Sequence, residues 1–521
     1  IARINASLGI DLSLKTLFQH TRCGDLARAI EDSSRDQLPQ QFASLRSISV
    51  GDSAPLAYAQ ERIWFLQKMR PDSAAYNLAG ALRLEGELDQ DRLRKALNGI
   101  VRRHEVLRSR IQSKDGIPCQ VVHEHHDRVL DAQSVRDENE LQQHLTTIIS
   151  TPFDIENDAL IRLHLFETEP QQHVLLIVIH HIVADAWSLG IFARELEHAY
   201  NEPTIADSGL SAESSIQYSQ FAVWQRDFLA SDHIAAQVDY WKRTLAGRPP
   251  HLEVPPDRPR PSEFSFRGDS HSFSLSADLS RRLNEFSRAS GATLYMTLLA
   301  VFKVLLMRYS GEQDIVVGSP IAGRRHQESE SLIGLFVNTL VMRTQLDERD
   351  DFFACLSRVR DVTLDALENQ DVPFERLVEE LNPPRDLSRN PVFQVMFTLQ
   401  NMELPHLELN GLGASPVVLN RGAAQVDLSL SMWESDGQIH AMFEYASDLY
   451  DQKSIEGISA SFVELASELS VQPHAAIGEA RLMPDAQISK FIAAFNATAT
   501  EDAHGQDVVS LFERSVAARA N

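Results

Sequence analysis

Residues Val174 to Ser188 read VLLIVIHHIVADAWS. The first six, Val174 to Ile179, form an unbroken apolar run rich in β-branched side chains, which predicts a strand buried on both faces. Two histidines end the run, and an amphipathic pattern typical of a helix follows from about Ser188 to Tyr200. The stretch therefore predicts a buried strand that carries two histidines to a turn, with a helix after it.

The histidine pair consists of His180 and His181, and Asp185 follows the second by four residues. Neighbouring side chains of a regular strand point to opposite faces, so we expect one imidazole to face packing and the other a crevice. This argues against a shared metal ion, and no nearby cysteine or carboxylate spacing supplies further ligands. One imidazole at a strand end suits proton transfer, although a buried core histidine and a helix-capping Asp185 are the plainer interpretations.

Composition limits the class of protein. The chain has 521 residues, enough for several cores, and a formal net charge of -24, which disfavours nucleic acid and anionic membranes as partners. Its three cysteines, Cys23, Cys119 and Cys355, lie far apart, which favours a reducing cytoplasm over a disulfide framework. No apolar run reaches the roughly 18 residues of a membrane span. We therefore expect a cytoplasmic, monomeric protein.

The segment His180-His181-Ile-Val-Ala-Asp185-Ala186 resembles the HHxxxDG motif of condensation domains in nonribosomal peptide synthetases. Alone, this match is moderately specific, because related acyltransferases share its HxxxD core. Six further motifs of that family occur around it in the family's order, at Ala57–Leu66, Arg103–Ser109, Tyr218–Gln225, Ile333–Arg343, Asn369–Glu375 and Arg385–Pro391. Together the seven motifs identify the chain as similar to that family from about Pro55 to Pro391.

The resemblance implies a mixed α/β (α+β) fold of two chloramphenicol-acetyltransferase-like lobes in a V-shaped pseudo-dimer with a central tunnel. We expect the N-terminal lobe at residues 54–225 and the C-terminal lobe at 226–482. Within the second lobe, the family pattern implies a tunnel-floor loop at Pro320–Arg324. It also implies a latch at Gly411–Leu430 that reaches the first lobe.

Both ends of the chain resemble neighbouring parts of such a synthetase. Residues 1–34 resemble the C-terminal part of a peptidyl carrier domain, a small helical fragment, and the phosphopantetheine-bearing serine of that family lies upstream of this segment. The polar residues 35–53 read as a linker. Residues 483–521 resemble the linker toward an adenylation domain.

The family pattern also implies site residues. His181 lies beside the attacking nitrogen, either as a general base or as a group that only positions the amine. His180 packs or hydrogen-bonds within the lobe, while Asp185 and Arg62 pair with each other to hold the loop. Ala186 stands where the family has glycine. If that position needs a positive φ, alanine is strained by roughly 1 kcal/mol or more; otherwise its methyl group only narrows the site.

Three further side chains are candidates for lining the tunnel or positioning substrate, namely Trp187, Ser319 and Asn338. The pair Trp187-Ser188 resembles domains that accept an L-configured donor residue. No metal is implied. The implied cofactor is 4'-phosphopantetheine on partner carrier domains, and the implied partners are an upstream donor carrier, a downstream acceptor carrier and an adjacent adenylation domain.

The implied activity is peptide-bond formation between a carrier-bound donor acyl or peptidyl thioester and the amine of a carrier-bound aminoacyl acceptor. Epimerisation domains share the fold and histidine motif but usually differ in the second-half motifs. Heterocyclisation domains replace the histidine pair with aspartate, and a free acyltransferase using coenzyme A needs no carrier remnant. A recruitment platform of the same fold with weakened catalysis is the non-enzymatic alternative.

Overall fold

A computed structural model describes residues 14–20, 22–33, 48–51, 53–127, 132–202, 216–249, 251–400, 407–417, 422–497 and 507–518, and single residues at 4, 8, 10, 12, 45, 130 and 419. Most of the linker predicted at 35–53 lies outside these residues. So do parts of the predicted carrier fragment, latch and C-terminal linker. The lobe boundaries stay predictions.

The described helices, in chain order, are α1 (Leu14–Gln19), α2 (Cys23–Ser33), α3 (Tyr58–Met69), α4 (Gln90–Arg103), α5 (Glu138–Ile149), α6 (Ala186–Asn201), α7 (Tyr218–Leu229), α8 (Asp232–Leu245), α9 (Ala277–Ala289), α10 (Leu294–Ser310), α11 (Phe352–Glu368), α12 (Phe374–Leu381), α13 (Gln452–Val471), α14 (Asp485–Asn496) and α15 (Val508–Ala518). Short 3-10 turns occur at Glu105–Arg108, His181–Val183 and Gln327–Ser329.

The described strands are β1 (Ser53–Pro55), β2 (Asn77–Gly86), β3 (Ser109–Lys114), β4 (Ile117–Val122), β5 (Ala132–Ser134), β6 (Ile161–Glu169), β7 (Gln172–His180), β8 (Gly268–Ser274), β9 (Asp314–Ile321), β10 (Asn338–Gln345), β11 (Val395–Gln400), β12 (Leu412–Pro416), β13 (Leu428–Ser435) and β14 (Gln438–Ala446). They form two large sheets and a small three-stranded sheet, β1-β4-β3.

The first large sheet has the order β12-β2-β7-β6-β5, with β7 in its centre. All of β7 after Gln172 is buried, as expected of a central strand whose apolar run has no polar alternation. The predicted buried strand is therefore confirmed, and it ends at His180. Helix α6 begins at Ala186, two residues before the predicted start.

The second large sheet has the order β10-β9-β11-β13-β14-β8. Strand β11 runs parallel to β9 and β13, and the other neighbours are antiparallel. Helix α10 packs in its core and is buried on every side from Met296 to Met307, which explains why its sequence is apolar without a polar stripe. Each large sheet has its own hydrophobic core.

Segments from the second half of the chain pack into the hydrophobic core of the first large sheet, called the first core below. Strand β12 pairs antiparallel with β2, so that Leu412 lies opposite Gly86. A side chain at position 86, where φ is +127°, would strike the carbonyl oxygen of Gly411. The run from Leu332 to Phe336 also packs among first-core side chains. The result is a mixed α/β fold, which confirms the predicted fold class.

No single helix in the described parts of the chain is long and apolar enough to cross a membrane. Helices α9 and α10 reach the length and apolar composition of a membrane span only when they are taken together, and they are bent by 108° at the break between them.

A buried lysine in α10 should make the stability of the fold depend on pH. Lys303 Nζ donates to the carbonyl oxygen of Met342 at 2.7 Å and to Thr344 Oγ1 at 2.6 Å. Burial lowers the pKa of Lys303 to about 7. Above that pH the unfolded chain holds a proton that the folded chain releases, so stability should rise with pH until the ordinary lysine pKa near 10 is reached.

We predict that the free energy of unfolding of the wild type rises relative to that of Lys303→Met by about 1 kcal/mol per pH unit above pH 7. Urea titrations at about pH 7, 8 and 9 measure this difference. Lys453→Met, at an exposed lysine, is the matched control and should show no such slope. A constant difference between wild type and Lys303→Met would contradict the prediction.

Candidate active site

His181 begins the 3-10 turn that follows β7. Its backbone N–H donates to the carbonyl oxygen of Tyr76 at 2.7 Å, and its Nδ1 lies 2.7 Å from the carbonyl oxygen of Ala184. A carbonyl oxygen only accepts, so this contact assigns the proton of the neutral ring to Nδ1. Nε2 is then the basic nitrogen of a half-buried imidazole.

His180 is the last residue of β7, and it is buried. It lies opposite Asn77 in the sheet, its Nδ1 accepts from the N–H of Ile182 at 3.3 Å, and its ring packs edge-on against Phe153 at 5.8 Å. Burial lowers the pKa of His180 to about 3, and electrostatic interactions with His181 and Arg162 act in the same direction. His180 is therefore a neutral packing residue near pH 7.

Asp185 is the N-cap of α6, and its buried carboxylate collects donors from both halves of the chain. It accepts from the N–H and hydroxyl of Ser188 at 2.8 and 2.7 Å and from the N–H of Phe336 at 3.0 Å. Arg324 Nη2 completes the set, at 3.0 Å from Oδ1 and 3.3 Å from Oδ2. Asp185 is thus a helix cap, as the plainer interpretation held, and it also forms an ion pair with Arg324.

The predicted pairing of Arg62 with Asp185 is wrong. Arg62 Nη1 lies 3.7 Å from Glu375 Oε1, and its guanidinium lies 5.4 Å from the centre of the Phe374 ring. The reason is helix phase: Gln60 on α3 donates to the carbonyl oxygen of Ile182 at 2.9 Å, and two residues later the helix has turned by about 200°. Arg62 therefore faces α12.

Sequence reasoning missed Arg324 as the partner of Asp185. The requirement for a cation could have been inferred, because a buried carboxylate needs one. The choice among many arginines could not, because Arg324 meets Asp185 through a loop contact across 139 positions of sequence. An aromatic ring also covers this cation, since the Arg324 guanidinium lies 4.0 Å from the centre of the Phe336 ring.

Ala186 is the first residue of α6, and its side chain is exposed. Among the described non-glycine residues, positive φ occurs at Asp115, Phe266, Asn382 and Asp436. The strained alternative for Ala186 is therefore wrong, because the alanine lies in ordinary helical backbone. Its methyl group extends from the start of the helix without a conformational cost.

The three tunnel candidates make structural hydrogen bonds. Trp187 Nε1 donates to the carbonyl oxygen of Glu330 at 3.0 Å, and Ser319 Oγ donates to that of Phe397 at 2.9 Å. Asn338 Nδ2 donates to the carbonyl oxygens of Gln370 and Val372 at 3.0 and 2.9 Å. Ser319 and Asn338 lie on the second large sheet, whereas His181 follows the first. Their role in substrate positioning stays a prediction.

Asn338 also lines a pocket formed by side chains from both halves of the chain. The pocket walls include Trp224, His326 and Glu375. Among the residues that the structure describes, no group of three or more histidine, cysteine, aspartate or glutamate side chains is placed to hold a metal ion.

Loss of Arg324 should be costly, because it removes the cation that pairs with the buried Asp185 carboxylate. We predict that Arg324→Ala lowers the free energy of unfolding by about 3–5 kcal/mol. Arg136→Ala is the matched control: its side chain is 86% exposed and it pairs with Glu140 on the surface, so little stability should be lost. Urea unfolding measures both, and equal losses would contradict the assignment.

The family model for the condensation domain matches residues 50–492. One of the linear gramicidin synthase subunits of Brevibacillus parabrevis is 38% identical over 510 residues, and malpinin synthetase of Mortierella alpina is 35% identical over 525 residues. The matches cover 96% and 98% of this chain but 10% and 7% of the relatives. The chain thus spans about a tenth or less of the length of these curated relatives.

Among solved structures, the X-domain from teicoplanin biosynthesis is 28% identical with a TM-score of 0.78, and the match covers 84% of this chain and 99% of that one. A holo four-domain nonribosomal peptide synthetase bound to AMP and glycine has a TM-score of 0.79 at 24% identity, covering 90% of this chain and 37% of that one, which supports the fold alone. Because the family model spans residues 50–492 of this sequence, this chain belongs to the condensation-domain family, the acyl and peptidyl transferases of nonribosomal peptide synthetases.

Proposed function

We propose that this chain joins a donor acyl or peptidyl thioester to the amine of an aminoacyl acceptor, each held on the phosphopantetheine arm of a separate carrier domain. The observation that carries the proposal is the His181 imidazole. Its Nδ1–H is engaged by the Ala184 carbonyl, so the neutral ring has its basic nitrogen at Nε2.

In the proposed reaction the neutral acceptor amine attacks the carbonyl carbon of the donor thioester. A C–N bond forms and the C–S bond breaks, so the chain moves to the acceptor and the donor carrier leaves as a thiol. The amine nitrogen gives up one proton and the departing sulfur takes up one. His181 Nε2 accepts a hydrogen bond from the attacking nitrogen and so orients it, and as a base it can take the proton.

Holding two tethered reactants together supplies much of the rate. Confining reacting atoms at about 3–3.5 Å can remove roughly 7–11 kcal/mol from the barrier. His180 and Asp185 support this task indirectly: His180 packs beneath the turn, and Asp185 fixes its far end through Ser188 and Arg324. The pantetheine arm arrives as part of the substrate, on upstream and downstream carrier domains that work with an adenylation domain.

The donor is proposed to have the L configuration at its reacting residue. The support is the sequence Trp187-Ser188 directly after the histidine motif. In the structure Trp187 is anchored to the Glu330 carbonyl oxygen and Ser188 to the Gly334 carbonyl oxygen, at 3.0 and 2.9 Å. These anchors tie the residues after the motif to the opposite half of the chain.

A recruitment platform is the second candidate function. One observation favours it: the structurally similar X-domain is described in a complex with OxyB from teicoplanin biosynthesis. The complete His180-His181 pair and the anchored Asp185 favour catalysis instead.

The test is a single-turnover assay with a donor carrier bearing an L-aminoacyl or D-aminoacyl pantetheine and an acceptor carrier bearing an aminoacyl one. We predict transfer with the L-donor and a loss of at least about 100-fold in rate for His181→Ala. Intact-protein mass spectrometry follows the product on the acceptor carrier. His440→Ala, on strand β14 of the other sheet, is the matched control and should retain the wild-type rate.

Ala186→Gly restores the glycine of the family motif and so tests whether the alanine affects the transfer reaction. The alanine is helical and exposed, so its replacement should alter the transfer rate by no more than a few-fold and lower stability by about 0.5–1 kcal/mol. Carrier binding without product for a broad donor panel, with Ala186→Gly as well as wild type, would overturn the proposed catalysis in favour of a platform.

A further inference from the structure

Phe266 has a backbone conformation that bulky side chains avoid. Its φ is +61°, in the left-handed region, where the Cβ atom crowds the backbone. The other described non-glycine residues with positive φ are asparagine or aspartate, which adopt it more readily. Such an outlier persists only where its surroundings fix it, and outliers of this kind concentrate at functional sites.

The surroundings of Phe266 do fix it. Its carbonyl oxygen accepts from the N–H of Ala424 at 3.0 Å, and Arg267 forms a bridge with Ala423. The next N–H, of Gly268, donates to the carbonyl oxygen of Gly422 at 3.0 Å. The strained residue is therefore held at the start of β8 by backbone bonds that any side chain at position 266 would leave in place.

The side chain of Phe266 reaches the first half of the chain. Its ring lies 6.4 Å from that of Tyr76 and 5.1 Å from that of Phe264, both within the range of aromatic contact. Arg70, which caps the C-terminal end of α3, fixes the same loop, since its Nη2 lies 2.7 Å from Glu263 Oε2. The loop from Glu263 to Phe266 thus contacts the first half at two points.

Tyr76 is the direct neighbour of His181. Its carbonyl oxygen accepts the His181 N–H at 2.7 Å. One residue further along, Asn77 lies opposite His180, and paired residues of antiparallel strands share a face of the sheet. Tyr76 and His181 therefore lie side by side just beyond the ends of the paired strands. The half-buried Phe266 ring contacts the ring of the residue that holds the His181 backbone.

We propose that Phe266 is a specificity-determining residue, whose ring, together with Tyr76, limits the size of the aminoacyl side chain that lies against His181. This proposal rests on the proposed function of the same site. Glycine at position 266 would satisfy the backbone without strain, so the backbone conformation alone does not call for a phenylalanine there. The ring is the part of the residue that backbone geometry does not explain.

The test compares Phe266→Gly with Phe266→Ala. Both remove the ring, but only glycine also relieves the left-handed backbone, so Phe266→Gly should have the higher Tm of the two. Both should raise the ratio of transfer rates for a tryptophanyl over an alanyl substrate, by the same factor of about tenfold or more. One arm varies the donor against a glycyl acceptor, and the other varies the acceptor against an alanyl donor.

Asp436→Gly is the matched control, because it changes a positive-φ residue in the turn between β13 and β14. It should leave the size ratio at the wild-type value. An unchanged ratio for both Phe266 variants in both arms would overturn the proposal. So would a ratio that follows Tm, with Phe266→Gly resembling the wild type and Phe266→Ala differing from it.

A binding measurement separates this proposal from the proposed function. Carriers bearing amide-linked tryptophanyl or alanyl pantetheine cannot react, and their Kd values report size selection alone. If the wild type transfers nothing but both variants shift the Kd ratio, size selection by Phe266 stands and the proposed catalysis falls. If transfer occurs and neither ratio shifts, the proposed catalysis stands and this inference falls. Wild-type binding that ignores size also overturns it.

Discussion

The buried ion pair between Asp185 and Arg324 is the interaction on which the site depends. Removing both charges from water is expensive, and attraction alone need not repay it. The Asp185 carboxylate is compensated because it also accepts from Ser188 and from the N–H of Phe336. Arg324 in turn donates to the carbonyl oxygen of Leu332 at 2.7 Å. The turn that carries His181 is therefore fixed at its far end by the second half of the chain.

The same dependence recurs in the packing. The first core is completed by β12 and by the apolar run from Leu332 to Phe336, both of which come from beyond the middle of the sequence. On the other side of the turn, two residues of α3 make contacts. Gln60 donates a hydrogen bond to the Ile182 carbonyl oxygen, and Arg62 forms an ion pair with Glu375. A change in the second half can thus move His181 without touching it, which makes the geometry of the site a property of both halves.

Local patterns predicted what depends on neighbours in sequence. The apolar run ending at His180 predicts its own burial, and an aspartate before an amphipathic run predicts its capping role. Family motifs added the fold and His181. What they could not supply were contacts between distant segments. Arg62 illustrates this, because only the contact of Gln60 with the Ile182 carbonyl oxygen fixes the phase of α3 and directs the arginine away from the turn.

Phe266 and Arg324 owe their roles to contacts between distant segments. A left-handed phenylalanine leaves no trace in composition or periodicity, because bonds to Ala424 and Ala423 impose it. Arg324 likewise reaches Asp185 because of the way its loop folds, and the spacing of the two residues in the sequence does not reveal the contact. For Ala186 the sequence left two conformations open, and its place in the first turn of α6 decides between them.

His181 is proposed to contact the reacting amine, and a crystal structure can show directly where that amine binds. The chain would be crystallised with an acceptor carrier bearing an aminoacyl pantetheine in stable amide linkage. We expect the acceptor amine within about 3.2 Å of His181 Nε2, as hydrogen bonding requires, with the arm entering between the two large sheets. An amine bound out of reach of the imidazole, with ordered density for the whole arm, would contradict it.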